Sequence, residues 1–153
     1  MKYKNLALLL LFALCCGFVQ AQNTVFEKFS GRKDIQVVHV TKSLLEMIPK
    51  METGGVDISD LAGKLKQIDV YTSESGDAVQ FMSTQAALFE QDKSYETLMT
   101  IKEKDQKIVF YGNQSDGIFK DLVMFAEEKG KCTIVRMIGE FTAKDIQKIS
   151  KKK

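Results

Sequence analysis

Few side chains in this sequence could do chemistry, and two of them stand out. His39 is the only histidine, and Cys132 is the one cysteine outside the first twenty-one residues. A thiolate activated by an imidazole is a nucleophile, provided that the two side chains meet and that a third group orients the base. The spacing of these two residues does not by itself bring them together. We therefore treat both as weak candidates only, and we name no catalytic residue, no metal ligand and no cofactor.

Each of the two residues also has an ordinary structural interpretation. His39 shares one face of a predicted strand with Ile35 and Val37, and a lone imidazole cannot build a histidine-rich metal site. Cys132 opens a predicted strand with Ile134 and Ile138 on its face, which indicates a small buried apolar side chain. A reactive thiol, or one that pairs with another chain, stays open as the alternative.

The elements that must position these residues begin with a strand from Ile35 to Val40. Its β-branched residues occupy both faces, a pattern typical of a central strand that is covered twice. A helix is predicted from Lys42, with Thr41 as its N-cap and Pro49 at its end. The residues expected on the buried side of this helix are Leu44, Met47 and Ile48.

A turn at Thr53-Gly54-Gly55 and a second helix come next. Asp57 is a plausible cap for this helix, whose apolar residues follow the three-four spacing of one buried face: Ile58, Leu61, Ala62, Leu65 and Ile68. A strand is predicted from Gln67 to Ser73. A longer helix from Asp77 to Gln91 should bury one apolar face, made of Ala78, Phe81, Met82, Leu88 and Phe89.

The last third alternates between apolar and polar residues in four segments separated by short turns: Tyr95 to Lys102, Lys107 to Gly112, Ile118 to Ala126, and Lys131 to Gly139. Strands joined by such short turns are neighbours in an antiparallel meander. Thr142 and Asp145 then form a capping box for a closing helix, with Phe141 against Ile146. We predict an α+β fold with a mainly antiparallel sheet, helices packed on one face, and the element order β-α-α-β-α-β-β-β-β-α.

The start of the chain has the layout of a secretory signal peptide. Lys2 and Lys4 precede an apolar run from Leu6 to Val19, and Val19-Gln20-Ala21 is a small-residue cleavage site. The run is about 14 residues, whereas a membrane-spanning helix needs roughly 20. We expect cleavage after Ala21, a single domain over residues 22–153, no transmembrane segment after cleavage, and an exported protein that is periplasmic or secreted.

Loss of the signal peptide changes both the charge and the cysteine content. The full chain has 22 basic and 20 acidic residues, and Lys2 and Lys4 leave with the signal. The balanced charge that remains gives no reason to expect nucleic acid as a partner. Cys15 and Cys16 also leave, so Cys132 has no intramolecular disulfide partner. Neither departing cysteine follows a small residue, so lipid anchoring is the weaker alternative.

Seven segments carry a resemblance to a known family: Phe26 to Phe29, Val40 to Pro49, Val56 to Ile58, Leu61 to Leu65, Asp121 to Phe125, Ile134 to Phe141, and Asp145 to Ile149. In these hydrophobic and turn patterns the chain resembles an uncharacterised bacterial family, domain of unknown function 4252. The resemblance covers nearly all of the mature chain. It implies exported bacterial proteins of the Bacteroides type, some of them lipoproteins, with no catalytic residues to carry over.

The absence of a recognisable catalytic motif favours a non-enzymatic binding or interaction module of the cell envelope. Its expected partner is an envelope protein of unknown identity, bound through the sheet or a loop. One alternative is a hydrolase-type enzyme whose site assembles only in three dimensions. The other is a self-assembling structural component that uses the edge of the meander. The sequence does not indicate the ligand or the oligomeric state.

Overall fold

The computed structural model describes residues 21–47, 52–53, 56–57 and 59–151, with side chains over 25–47 and 61–148. In chain order the elements are α1 (Ala21–Ser30), β1 (Gln36–Thr41), α2 (Lys42–Leu45), β2 (Glu52–Thr53), β3 (Val56–Asp57), a 3₁₀ helix (Ser59–Lys64), β4 (Leu65–Ser73), α3 (Gly76–Gln91), β5 (Glu96–Glu103), β6 (Gln106–Ser115), β7 (Ile118–Glu128), β8 (Lys131–Phe141) and α4 (Ala143–Lys151). Residues 1–20 of the predicted signal peptide, with Cys15 and Cys16, lie outside the described residues.

Six of the strands form one antiparallel sheet in the order β1-β4-β8-β7-β6-β5. The four strands of the last third are consecutive neighbours in it. Two of their connections are two-residue turns in which both residues have positive φ, Asp116-Gly117 and Lys129-Gly130. Such turns match the twist of the strands that they join. The predicted α+β class and antiparallel meander are therefore confirmed.

Apolar side chains cover both faces of this sheet. Because neighbouring residues of a strand point to opposite faces, Ile134 belongs to one cluster and Val135 to the other. The two longest helices, α1 and α3, pack on the first face. The predicted packing of helices on one face therefore holds for the long helices only, because the short ones contact the other cluster. The second face receives Leu45 from α2, Leu61 from the 3₁₀ helix and Ile146 from α4.

The position of the first strand in the sheet differs from its prediction. The segment is a strand, but β1 lies at the edge and its only hydrogen-bonded neighbour among the described strands is β4. Val38 is 54% exposed. The prediction of a central strand is wrong because β-branched residues on both faces are compatible with either position. Strand order depends on contacts that are distant in sequence.

The two helices predicted after this strand are also shorter than expected. The first ends at Leu45, and the buried residue is Leu45 itself, whereas Leu44 and Met47 are exposed. Thr41 makes no side-chain capping bond there. The second is the short 3₁₀ helix, and Leu65, expected on its buried face, instead opens β4. Pairing of β4 with both β1 and β8 satisfies that backbone, so the three-four spacing does not produce a helix. The predicted residues Ile48, Pro49, Gly54, Gly55 and Ile58 lie outside the described residues.

Three further local predictions can be compared with the structure. Helix α3 spans the predicted segment, but Leu88 is exposed, and Val79 and Ala86 are buried in addition to the predicted Ala78, Met82 and Phe89. The capping box of α4 is confirmed, because Asp145 accepts hydrogen bonds from both the amide and the hydroxyl of Thr142. Helix α1 was not predicted, although Val25, Phe26 and Phe29 have helical spacing and are all buried.

Candidate functional site

The structure pairs His39 with an acidic residue that is distant in sequence. His39 on β1 lies directly opposite Asp69 on β4. Nδ1 of the imidazole is 2.7 Å from Oδ1 of Asp69, and the side-chain amide of Gln67 donates to both oxygens of that carboxylate. The imidazole is 58% exposed, whereas the carboxylate is almost fully buried. A buried carboxylate that orients an exposed imidazole supplies two of the three members of a nucleophilic triad.

Cys132 does not complete such a triad. It lies opposite Ser73 on β4, four residues along that strand from the Asp69 that pairs with His39. At about 3.3 Å per residue the two positions are about 13 Å apart along the strand, with β4 between them. The thiol is buried in the apolar cluster under α1 and α3. Burial, and then the nearby Glu127, raise its pKa to about 12. The thiol is therefore protonated and inaccessible at neutral pH.

A second group of polar side chains, missed from the sequence, is buried on the same face. Oδ2 of Asp121 accepts hydrogen bonds from Nε and Nη2 of Arg136, at 2.9 and 2.7 Å, and from the hydroxyl of Tyr95 at 2.9 Å. The guanidinium carbon lies 4.4 Å from the ring centroid of Phe26 on α1. Burial, and then Asp121, raise the pKa of Tyr95 well above its usual range. No periodicity signals this group, because its members come from three separate elements and from the connection before β5.

These contacts indicate that the buried group is structural rather than catalytic. The guanidinium is held by Asp121 and covered by Phe26, and the Tyr95 hydroxyl is engaged by the same carboxylate. Oδ1 of Asp121 is buried and has no hydrogen-bond partner among the residues that the structure describes. The group joins β7, β8, the residue before β5 and α1, and thereby fixes the covering helix on the sheet.

The two edges of the sheet differ in how they are protected. Edge strand β5 carries Glu96, Lys102 and Glu103, and its register with β6 shifts between Thr97 and Met99. Charges and bulges of this kind prevent a strand from pairing with another chain. Edge strand β1, with the sequence Gln-Val-Val-His-Val-Thr, contains no Asp, Glu, Lys, Arg or Pro and keeps an unbroken register with β4. Strand β1 can therefore pair with an added strand more readily than β5 can.

Exposed apolar side chains concentrate beside the unprotected edge. The large exposed hydrophobic residues in the described part of the chain are Val38, Leu44, Met47 and Leu88. Val38 lies on β1, Leu44 on the short helix α2 that follows it, and Met47 just after that helix. Met47 is 78% exposed. Beside them, Nζ of Lys42 is 3.7 Å from Oε1 of Glu46, so the two charges balance each other. We call the backbone of β1 together with Val38, Leu44 and Met47 the β1 edge surface.

Other kinds of site find little support in the described residues. No group of three or more His, Cys, Asp or Glu side chains there could hold a metal ion. An open depression beside the β7–β8 turn carries both signs of charge, with Nζ of Lys131 3.5 Å from Oε1 of Glu74. Among the helices of the described segments, none has the length and apolar character needed to cross a membrane.

One protein family matches this chain over nearly its whole described length. The family is described as Domain of unknown function (DUF4252), and the match covers residues 29–149. That span contains all six strands of the sheet, both members of the His39–Asp69 pair and the β1 edge surface. Comparison with curated proteins and with solved structures gives no match. The chain therefore belongs to the DUF4252 family, whose function is unknown.

Proposed function

We propose that this protein is an exported, non-enzymatic interaction module of the cell envelope, and that it binds an extended segment of another protein chain at the β1 edge surface. The observation that carries the proposal is an edge strand without Asp, Glu, Lys or Arg, which exposes Val38 and is followed in the chain by exposed Leu44 and Met47. In this mode of recognition the bound segment adds one strand to the sheet.

The physical basis is the backbone of an edge strand, whose outer side pairs with no other strand that the structure describes. Alternate residues of β1 turn their N–H and C=O groups away from β4, toward the open side of the sheet. A segment that pairs with these groups gains main-chain hydrogen bonds, and its side chains can cover Val38 on the face of the sheet. Since the opposite edge strand β5 is charged and irregular, strand addition is favoured at β1 alone.

The chemistry of the surface defines the kind of segment that fits. Four charged residues near the ends of β1 pair within the chain, Arg32 with Asp34 and Lys42 with Glu46. A strongly charged segment would therefore find no opposite charge on β1 itself. Exposed valine side chains favour β-branched or aromatic neighbours across the strand pair. The expected partner segment is extended, uncharged and rich in β-branched residues.

Export is part of the proposal and is supported by the amino-acid sequence. A basic start, a short apolar run and a small-residue site at Val19-Gln20-Ala21 form the layout of a cleavable signal. N-terminal sequencing of the protein recovered from the producing cells should begin at Gln22. Recovery of an uncleaved chain from the cytoplasm would contradict this part of the proposal.

Site-specific photo-crosslinking tests the interaction itself. A photoreactive amino acid is placed at Val38 in one variant and at Leu88, an exposed apolar position on α3, in a matched control. We expect a discrete adduct at position 38 that is absent at position 88, with the crosslink in an uncharged, β-branched segment. The identified partner is then purified, and Val38→Lys should weaken its binding at least tenfold, whereas Leu88→Lys should not. Identical adducts at both positions, or full binding by Val38→Lys, would overturn the proposal.

The hydrolase-type alternative has one observation in its favour, the pairing of His39 with buried Asp69. An oriented imidazole can act as a general base when a hydroxyl or thiol lies within hydrogen-bonding reach. Cys132 is on another strand and does not meet this condition. Turnover of simple ester or amide substrates that is lost in His39→Gln would support an enzyme. Turnover unchanged by that substitution would count against a role for the pair.

A further inference from the structure

We infer that the segment bound at the β1 edge surface is β1 of a second copy of this chain. The two copies would then form a two-fold symmetric dimer in which two six-stranded sheets become one continuous antiparallel sheet. This inference rests on the proposed function, because it requires β1 to accept an added strand. It goes further by naming the partner and the register.

The chemistry expected of the partner segment is the chemistry of β1 itself. Residues 36–41 include no Asp, Glu, Lys or Arg, and four of the six are Val or Thr. Two copies of a charged edge would place like charges close together across the symmetry axis, at a cost in free energy. The β1 edge avoids this cost because it contains no Asp, Glu, Lys or Arg, and because Lys42 lies beside Glu46 in each copy.

Symmetry limits the registers in which β1 can pair with its own copy. The axis must be perpendicular to the sheet, and it relates side chains that point to the same face. Only two registers then pair five residues of each strand, one centred on Val38 and one centred on His39. The register centred on His39 would oppose two imidazoles, which repel each other whenever both are protonated. The register centred on Val38 brings the two exposed valines together.

The register centred on Val38 gives each side chain a compatible neighbour. Val38 faces the partner's Val38, and Gln36 faces the partner's Val40 on the same side of the sheet. On the other side, Val37 faces the partner's His39. Directly opposite residues in an antiparallel pair have Cβ atoms about 4.5–5.5 Å apart, so the two valines would cover each other. The exposure of Val38 in a single chain is the apolar area that this contact removes from water.

A short strand pair with a few apolar contacts makes a small interface. Interfaces below about 1,200 Å² of total buried surface belong to weak or transient complexes. The dimer is therefore expected to dissociate on dilution, with a micromolar dissociation constant.

The first test measures mass against concentration for the protein purified after export. Analytical ultracentrifugation from about 1 μM to about 500 μM spans the expected range of affinity. The weight-average mass should rise from that of one chain to that of two for the wild type and for Leu88→Lys, and should stay at one chain for Val38→Lys. Circular dichroism and urea unfolding would establish that both variants are folded.

The second test locates the symmetry axis with cysteine substitutions. Unlike Val38→Lys, a cysteine adds no charge to the edge strand. In the register centred on Val38, the residues at position 38 are directly opposite, within the range of Cα separations that a disulfide spans. Val38→Cys should therefore oxidise to a covalent dimer with a mild oxidant, and Leu88→Cys should not. His39→Cys should also fail, because position 39 faces the partner's Val37. Covalent dimer formation by His39→Cys alone would overturn the register.

The outcomes separate this inference from the proposed function. A wild-type chain that stays monomeric at every concentration, with no Val38→Cys dimer, overturns the self-association. If the photo-crosslink at Val38 then identifies a different protein whose binding Val38→Lys weakens, the proposed function stands without the dimer. If Val38 gives no specific adduct either, both are overturned.

Discussion

Nη2 of Arg136 lies 2.7 Å from Oδ2 of Asp121, across the neighbouring strands β8 and β7, and neither side chain is more than 15% exposed. The same oxygen accepts the Tyr95 hydroxyl, and the guanidinium packs over Phe26. One carboxylate therefore ties the sheet to its N-terminal helix. Charges taken out of water in this way stabilise a fold only as long as both partners are present.

Replacement of Asp121 should be strongly destabilising. Asp121→Asn keeps the size of the side chain but leaves the guanidinium of Arg136 without its countercharge, which costs about 3 kcal/mol of unfolding free energy. Urea unfolding followed by circular dichroism measures this loss. Asp34→Asn is the matched control, because Asp34 pairs with Arg32 on the surface. This substitution should change the midpoint of urea unfolding little. Equal effects of the two substitutions would contradict the structural role of Asp121.

The capping box of α4 should make stability depend on pH. The ammonium of Lys64, 2.6 Å away, and then Thr142 hold the pKa of Asp145 well below its ordinary value. Because the folded-state pKa is lower than the unfolded-state pKa of about 4, the stabilisation is complete at neutral pH. It is lost as the pH falls below the unfolded value toward the folded value.

Substitution of Asp145 tests this pH dependence. At pH 7, the free energy of unfolding of Asp145→Asn should be about 1–2 kcal/mol lower than that of the wild type. The difference should narrow as the pH falls from about 5 to about 3, because protonation of the unfolded wild type removes part of its advantage. Glu140→Gln, which breaks the exposed pair with Lys66, serves as the control and should behave like the wild type. A difference that stays constant with pH would contradict the assignment.

The Cys132 thiol should be almost unreactive in the folded protein. With a pKa of about 12, only about one thiol in ten thousand is ionised at pH 8, and the side chain is also buried. Labelling with a thiol reagent should therefore be slower than in urea-unfolded protein by several orders of magnitude. Labelling of the native protein at the rate of a free cysteine would contradict this expectation and would support a reactive role for Cys132.

Gly139 should not tolerate a side chain. A Cβ atom at this position of β8 would press on the carbonyl oxygen of Lys64 and on the ring of Phe141. Gly139→Ala should therefore cost about 1–3 kcal/mol, the usual effect of overpacking. Gly63→Ala, where the added atom meets no other atom within 4 Å, is the control and should be neutral. Thermal or urea unfolding measures the stability of both variants. Equal stability of the two would contradict the prediction.

The predictions that the structure confirms depend on residues close together in sequence. The four strands of the meander follow from alternation and short turns, α3 follows from its helical period, and the cap of α4 follows from Thr142 and Asp145 three residues apart. Each of these signals is local, and local hydrogen bonds or neighbouring strands are enough to produce the structure. Of the candidate site, the sequence identified His39 but not Asp69, thirty residues away.

The amino-acid sequence by itself determined the α+β class, the antiparallel meander and the family to which the chain belongs. Only the tertiary structure decided that β1 is an edge strand, that His39 meets Asp69 and not Cys132, and that Arg136 is neutralised by Asp121. The reason is that periodicity reports which side chains are buried along one element. Strand order and side-chain pairing result instead from packing between elements that are far apart in the chain.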